Sequence, residues 1–228
     1  MKTTASNRRS VTRRTVLTGA AVVLLVAAAA GCSSSKNSTG GDIAGAQSGS
    51  PTAASSSPTP TISASPGWTA PTFAFPSDVT MQLDGFTASD PAKNAAVRDL
   101  GYAMSAYEEG LATGATDRPA LARYWSGLAN AAVAKSITSY KAGGHRITGI
   151  SHFLRPNLTL KDASSATATL CEDQSKSFPK DLGTGAVVTG TPSDDDYVAW
   201  NLTLQHDPAG DWQVNAVNWT HGVLSCKP

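Results

Sequence analysis

Residues 76–228 are predicted to form one α+β domain, with N-terminal helices packed on one face of a curved antiparallel sheet of about four strands. Three observations support this fold class. Apolar residues recur at spacings of three and four between residues 91 and 142, which is the period of amphipathic helices. After Gly144 apolar and polar residues alternate, as in half-buried strands. A turn sequence at residues 207–211 joins the last two strands and indicates a hairpin.

Three helices are predicted first. Asp90 caps the first helix, Pro91 occupies its first position, and the helix ends near Gly114. Its predicted buried residues are Val97, Leu100, Met104, Tyr107 and Leu111. Its predicted exposed residues are Arg98, Asp99, Ser105, Glu108 and Glu109. A short second helix follows Pro119, and a third runs from about residue 127 to Gly143. The residues that the third helix is expected to bury are Leu128, Ala132, Val133, Ile137 and Tyr140.

Four strands are predicted after the helices. The first covers residues 147–161 and is interrupted at Pro156, which indicates a sheet edge or a β-bulge. The second covers residues 166–172, and a long insertion at residues 175–196 is expected to form a hairpin loop. The last two strands are residues 198–205 and 212–219. In the final strand the apolar residues change face after Ala216, which predicts a bulge that bends the sheet.

Residues 1–31 have the parts of a secretory signal peptide. Five basic residues and no acidic residue precede an apolar run at residues 16–30. Small residues then lead to Cys32, and residues 29–32 resemble the lipobox of bacterial lipoproteins, in which the cysteine is diacylated. A transmembrane anchor is the weaker alternative, because about fifteen apolar residues are fewer than the roughly 20 that span a bilayer. Residues 12–18 also resemble a twin-arginine export signal, so twin-arginine and Sec export both stay open.

Residues 32–75 are predicted to be a disordered linker that begins at lipidated Cys32. Its Ser, Thr, Gly, Ala and Pro residues offer little apolar surface to offset the entropy of ordering the chain. Residues 50–66 have the composition of an O-glycosylated stalk, and an unmodified spacer is an equal alternative. The expected location is the outer face of the cytoplasmic membrane, with the lipid on Cys32 as the membrane contact and the domain extracytoplasmic.

Charge and motif content exclude several classes of partner. The chain has 18 basic and 17 acidic residues, and loss of the signal peptide would leave 13 basic and 17 acidic residues, a formal charge of −4. No basic patch is visible, so no nucleic-acid partner is expected. The four histidines lack metal-ligand spacing, and no glycine-rich phosphate loop occurs, so neither a metal nor a cofactor is expected.

Cys171 and Cys226 remain when Cys32 is assigned to the lipid. An even pair in an oxidising compartment predicts a disulfide, with two free thiols as the alternative. The closed loop of about 55 residues corresponds to roughly 4 kcal/mol in the chain-entropy description.

The layout resembles actinobacterial surface lipoproteins with an NTF2-like (SnoaL-like) domain. The resemblance covers roughly residues 91–226 and rests on spaced features, which are Tyr107-Glu108, Tyr124-Trp125, the third helix, Leu170-Cys171-Glu172-Asp173, Trp212-Gln213-Val214 and the terminal cysteine. It implies a cone whose open mouth lies between helices and sheet. Such a pocket hosts both enzymes and inert binding domains, so the fold alone does not decide the function.

Isomerases of this class use an Asp base that faces a Tyr or an acid holding an oxyanion. The resemblance therefore gives six candidate pocket residues: Tyr102, Tyr107, Tyr124, Trp125, His152 and Asp173. Each has an ordinary structural use as well; Asp173 shares its strand face with Cys171, and Tyr107 has the spacing of a core residue.

Two functions follow from these observations. The favoured one is a non-catalytic domain that binds a small ligand or a protein partner at the cell envelope, and a homodimer is compatible with it. The alternative is a ketosteroid-isomerase-like pocket enzyme with an Asp/Tyr acid–base pair. A polar pocket with two or more facing titratable groups would favour the enzyme, whereas a filled or apolar pocket would favour the binding domain.

Overall fold

The computed structural model describes residues 68–228. The signal peptide, Cys32 and the linker up to residue 67 lie outside the described residues, so their predicted roles stay predictions. Within residues 68–228, no helix is long and apolar enough to cross a membrane.

Three helices form the crossover between the first two strands. Their bounds are α1 Pro91–Thr113, α2 Pro119–Tyr124 and α3 Gly127–Ala142. The predicted cap of α1 is confirmed: the Asp90 side chain accepts a hydrogen bond of 2.7 Å from the Lys93 backbone N–H. At the other end, Gly114 adopts a left-handed conformation with φ of 67° and closes the helix.

The sheet has five strands rather than about four. The strands are β1 Val79–Leu83, β2 His145–Leu160, β3 Ser165–Asp181, β4 Tyr197–His206 and β5 Trp212–Thr220, in the spatial order β1-β2-β3-β4-β5. Strands β2 to β5 form an antiparallel meander, whereas β1 lies parallel to β2. A parallel pair requires a long crossover connection, which the three helices supply. The fold class α+β is therefore confirmed, with one additional strand.

Irregularities in strand pairing bend the sheet. The predicted interruption of β2 is confirmed as a register shift between Leu154 and Asn157, where Arg155 has a φ of 55° and Pro156 follows. The predicted bulge in β5 is confirmed at Asn215, where the register with β4 shifts. Strand β3 continues to Asp181, so the expected loop at residues 175–196 is in part a strand.

Helix α1 occupies the centre of the domain. Its predicted polar face is buried: Asp99, Glu108 and Glu109 are each at most 3% exposed, and Ser105 is 5% exposed. The prediction of a solvent-facing side was wrong because α1 is covered by α2, α3 and the sheet, and by residues that precede the predicted domain. Asp99, for example, accepts hydrogen bonds from the backbone of Trp212 and from Arg98.

Helix α3 buries Val133 and Ile137 as predicted, but its buried stripe begins at Ala129 rather than at Leu128. Leu128, expected in the core, is 84% exposed, and Ala129 is buried instead. Ala129, Val133 and Ile137 lie at spacings of four and form the buried stripe. Ala132 and Tyr140 are only partly buried.

Residues 68–75 pack against the helices. The Trp68 indole N–H donates to the Asp211 carboxylate at 2.8 Å, and the Arg98 guanidinium lies 4.0 Å from the Trp68 ring centroid. The backbone N–H of Ala74 donates to Glu109 at 2.8 Å. This segment therefore belongs to the packed structure.

The predicted disulfide between Cys171 and Cys226 is confirmed, with the two Cα atoms 5.1 Å apart. It ties the C-terminal 3-10 turn, Leu224–Cys226, to β3. Arg155 reinforces this attachment, because its guanidinium donates to the carbonyls of Ser225 and Lys227.

Candidate functional site

A cavity of about 350 Å³ lies at one end of the sheet, between helices α1 and α3 and the ends of strands β2 to β5. Its lining residues are Tyr107, Glu108, Leu111, Ser136, Tyr140, Ile147, Glu172, Gln174, Ser177, Pro179, Asp196, Val198, Trp200, Trp219 and His221. The cavity therefore opens between the helices and the sheet. It combines aromatic walls with carboxyl groups.

Glu172 faces this cavity from β3. Side chains of a strand alternate between faces, and Ala166, Ala168 and Leu170 are buried, so the next residue of that series is also directed inward. Glu172 is 1% exposed. One of its carboxylate oxygens accepts from Gln174 Nε2 and the other from Trp200 Nε1, both at 2.8 Å. Two donors therefore orient this carboxyl group.

Glu108 faces the same cavity from the opposite side, on α1. It follows Leu100 and Met104 at spacings of four, which places it on the buried stripe of the helix. It is 1% exposed, and its Oε2 atom is buried without a hydrogen-bond partner among residues 68–228. A buried acceptor without a donor is costly to the folded state, which makes Glu108 a candidate functional residue.

Burial raises the pKa of both carboxyl groups into the neutral range. For Glu108 the pKa rises to about 8, first because of desolvation and second because of the nearby Glu172 charge, while the Ser151 side chain opposes the rise. For Glu172 desolvation raises the pKa to about 7, against the hydrogen bonds from Gln174 and Trp200. The two carboxyl groups therefore titrate as a coupled pair, and burial raises the pKa of each.

Aromatic rings form the rest of the wall. The Tyr107 hydroxyl lies 3.0 Å from Ser136 Oγ, and its ring meets Trp200 edge to face at a centroid distance of 5.6 Å. Trp200 and Trp219 have centroids 5.2 Å apart. Desolvation raises the pKa of Tyr107, so the phenol is neutral at physiological pH.

Two further polar groups stand at the rim. His221 Nδ1 lies 3.0 Å from the backbone carbonyl of Asp195, which requires the proton on Nδ1 and leaves Nε2 as an acceptor in the neutral ring. Asp196 accepts from the Ser193 backbone N–H at 2.7 Å in a capping box.

Two of the predicted pocket residues lie outside the cavity. Asp173 neighbours Cys171 on the opposite face of β3 from Glu172, and its carboxylate accepts from the Ser175 backbone at 2.9 Å. His152 lies across from Asp173 in the β2–β3 register and pairs with Asp84 at 2.8 Å. The alternation of strand side chains explains this correction, because a residue one position away from Glu172 points to the other face.

Three of the predicted aromatic candidates belong to the core instead. Tyr102 stacks between Phe73 and Tyr124, and Tyr124 is fully buried. Trp125 is 1% exposed and donates its indole N–H to the Ala103 carbonyl at 2.7 Å. Tyr107 alone among the six candidates lines the cavity.

Sequence reasoning missed Glu108 and Glu172, although a signal existed for each. The spacing of four from Leu100 through Met104 leads to position 108, and the alternation from Ala166 through Leu170 leads to position 172. Charged residues are almost never fully buried, which made the exposed placement the default.

Larger concave surfaces occur elsewhere on the domain. One, of about 460 Å³, is an open groove on the outer face of β2 to β5, lined mainly by threonine and asparagine side chains. None of its lining residues is titratable, so this groove has no group that could act as an acid or a base. No cluster of three or more metal-ligating side chains occurs in the described part of the chain.

No protein-family model matches the sequence, and no curated protein matches it. Solved structures with partial similarity to this chain include a ketosteroid isomerase-like protein from Erwinia carotovora atroseptica, with a TM-score of 0.37 over 56% of this chain and 93% of that chain. Another is the intermembrane space region of the chloroplast protein ARC6, with a TM-score of 0.36 over 54% of this chain and 95% of that chain. A third, a ketosteroid isomerase candidate from Shewanella frigidimarina, has a TM-score of 0.31 over 60% of this chain and 99% of that chain. Each is 13% identical to this chain, which assigns no role to any residue here.

Proposed function

We propose that this protein is a lipid-anchored extracytoplasmic protein whose domain binds a small ligand in the cavity at the end of the sheet. The observation that carries the proposal is the pair Glu108 and Glu172, each 1% exposed, facing one cavity of about 350 Å³. Pockets of this size, with apolar walls and a few convergent polar groups, are typical of small-molecule sites.

The buried acids oppose stability, which favours a functional explanation. Desolvation disfavours their charged forms, and Glu108 Oε2 has no donor among residues 68–228. Apolar residues at positions 108 and 172 would fold at lower cost. Groups with perturbed pKa values cluster at functional sites for this reason.

The proposed fold family is the NTF2-like cone. Supporting observations are a bent sheet, a central helix α1 and a cavity that opens between them at one end. The lipid on Cys32, the location outside the cytoplasmic membrane and the actinobacterial lipoprotein origin are proposed from the lipobox-like sequence before the linker. A protein partner or a second copy of the chain is the competing occupant.

A second candidate function is proton transfer on a small carbonyl compound. Glu172, with a pKa of about 7, would act as the base, and protonated Glu108 would donate to the developing oxyanion. Two facing acids are the feature that favours an enzyme. Against this, Asp196 adds a third carboxyl group, and no lysine or arginine among residues 68–228 lines the cavity, so a negatively charged intermediate would be repelled.

A screen of small fragments by ligand-observed NMR tests the binding proposal. Ser136 lines the cavity from α3, so Ser136→Phe should fill part of it and abolish binding of the fragments found. Ser139→Phe, on the exposed side of the same helix, is the matched control and should leave binding unchanged. Fragments that bind both variants equally, or a screen without hits, would overturn the proposal.

The second candidate function, proton transfer on a carbonyl compound, is tested separately by measuring α-proton exchange of small ketones in D₂O. Exchange that is catalysed by the wild-type protein and lost in Glu172→Gln would establish the second candidate. Absence of exchange while fragments bind would leave the binding domain as the function.

A further inference from the structure

We propose that the ligand of this cavity is an organic cation, an ammonium ion that carries an apolar or aromatic group. This inference rests on the proposed binding function and adds the chemical class of the ligand. Charge, hydrogen bonding and shape each contribute to it.

Acidic groups predominate among the titratable side chains that face the cavity. The titratable groups directed at it are Tyr107 and Glu108 from α1, Tyr140 from α3, Glu172 from β3, Asp196 from the turn before β4 and His221 after β5. Three of these are carboxyl groups, and no lysine or arginine is among the lining residues. A cavity with this lining concentrates negative potential and attracts a cation.

Hydrogen bonding favours a donor of positive charge. Glu172 has two donors from the protein, whereas Oε2 of Glu108 has none among residues 68–228. An ammonium group supplies up to three N–H donors and a positive charge, so it would satisfy Oε2 through a charge-assisted hydrogen bond. The ligand's charge would also favour the ionised form of both carboxyl groups.

The aromatic lining suits the rest of such a ligand. Tyr107, Tyr140, Trp200 and Trp219 all line the cavity. Aromatic faces attract an organic cation and also bury its apolar substituent. Because the Trp200 N–H is already bonded to Glu172, this residue offers its ring rather than a donor.

A metal ion fits less well than an organic cation. Among residues 68–228 no group of three or more carboxylate, histidine or cysteine side chains converges as a metal site. A hard divalent cation prefers six or more oxygen ligands, and aromatic rings provide none.

Calorimetry with three matched probes tests the inference: phenethylamine, its neutral analogue 2-phenylethanol and the anion 3-phenylpropionate. At pH 7.5 we expect phenethylamine to bind about tenfold or more tightly than 2-phenylethanol, and 3-phenylpropionate not to bind. Glu108→Gln and Glu172→Gln should each weaken phenethylamine by about tenfold or more while leaving 2-phenylethanol within about twofold. Asp117→Asn removes an equal charge at an exposed position outside the cavity and serves as the control.

A measurement on the wild-type protein covers the case in which a variant does not fold. Phenethylamine binding should strengthen between pH 6 and pH 8, and it should release protons, because the cation binds the ionised carboxylates. Heats measured in two buffers of different ionisation enthalpy report that release.

The outcomes separate the inference from the proposed function. Equal affinity for phenethylamine and 2-phenylethanol, or a preference for 3-phenylpropionate, would overturn the proposal of a cationic ligand. The proposal of a small-ligand site would stand. If none of the three probes binds, but fragments bind the wild type and not Ser136→Phe, the cation proposal would likewise be overturned and the small-ligand site would stand. Failure of the probes and of the whole fragment screen would overturn both.

Discussion

Glu108 shows how one buried side chain couples this fold to pH. Its pKa in the folded protein is about 8, and in the unfolded chain it reverts to about 4.5, the usual value of a glutamic acid. The folded state therefore holds more protons than the unfolded state between these two values. The contribution of Glu108 to the free energy of unfolding is greatest below about pH 4.5. It decreases as the pH rises toward 8 and is constant above that.

The first prediction is that replacing Glu108 weakens this decrease of stability with rising pH. Glu108→Gln cannot ionise, so it should remove much of the loss of stability between pH 5 and pH 8. At pH 8 the variant should be more stable than the wild type by on the order of a few kcal/mol, and at pH 4 the two should be nearly equal. Urea denaturation at pH 4, 6 and 8 measures the free energy of unfolding. Asp117→Asn should retain the wild-type slope, and an unchanged slope in Glu108→Gln would show that this carboxyl group is ionised throughout.

The candidate site was predictable from the sequence only in part, and the reason lies at single residues. Tyr107 was placed at the mouth by resemblance, and the strand around residue 172 was correctly located. The choice between Glu172 and Asp173 depends on which face a strand buries, and the alternation from Ala166 to Leu170 decides that. The spacing of four from Leu100 and Met104 leads to Glu108, but the sequence of the helix alone does not show that other elements cover α1 on its polar side as well.

At the scale of elements, predictions from local patterns agree with the structure and predictions from non-local pairing do not. The caps of α1, the Pro156 irregularity and the β5 bulge each depend on a few neighbouring residues, and each is present. Strand β1 was not predicted, because Val79 pairs with Gly149, 70 positions later, and no hairpin turn joins the two strands. In α3 the predicted burial of Val133 and Ile137 is confirmed, whereas Leu128 is exposed, since two overlapping apolar stripes compete in the helix.

The disulfide gives the second prediction. Cys171→Ser combined with Cys226→Ser should lower the free energy of unfolding by up to about 4 kcal/mol, because the unfolded chain regains the entropy of a 55-residue loop. Thermal denaturation of the oxidised and reduced wild type and of the double variant measures this. The double variant and the reduced wild type should melt together. Equal melting temperatures for all three would show that the bond does not stabilise the fold.

The segment at residues 68–75 gives the third prediction. Its removal would expose the Arg98 and Asp211 side chains that Trp68 contacts and would leave Glu109 without the Ala74 donor. A chain that begins at residue 76 should therefore melt about 5 to 10 °C below one that begins at residue 66. Trp68→Ala in the longer chain is the intermediate case. Equal melting temperatures for the two chains would show that these contacts contribute nothing to stability.

At the scale of the whole molecule, the entry of the chain and the cavity lie at opposite ends of the domain. Trp68 contacts Asp211 at the turn between β4 and β5, whereas Trp219 and His221 line the cavity beyond the other end of β5.

The last prediction concerns the anchor itself. Cys32→Ser should abolish metabolic labelling with a fatty acid and release the protein from the membrane fraction, because the thiol that would carry the lipid is gone. Two acyl chains hold a protein stably at a bilayer, and one holds it only marginally, so a diacylated cysteine would suffice without a spanning helix. Detergent-phase partitioning of the wild type, Cys32→Ser and the control Ser35→Ala measures the effect. If the serine variant stayed in the detergent phase as the control does, the apolar run at residues 16–30 would be an uncleaved anchor and the lipoprotein assignment would fall.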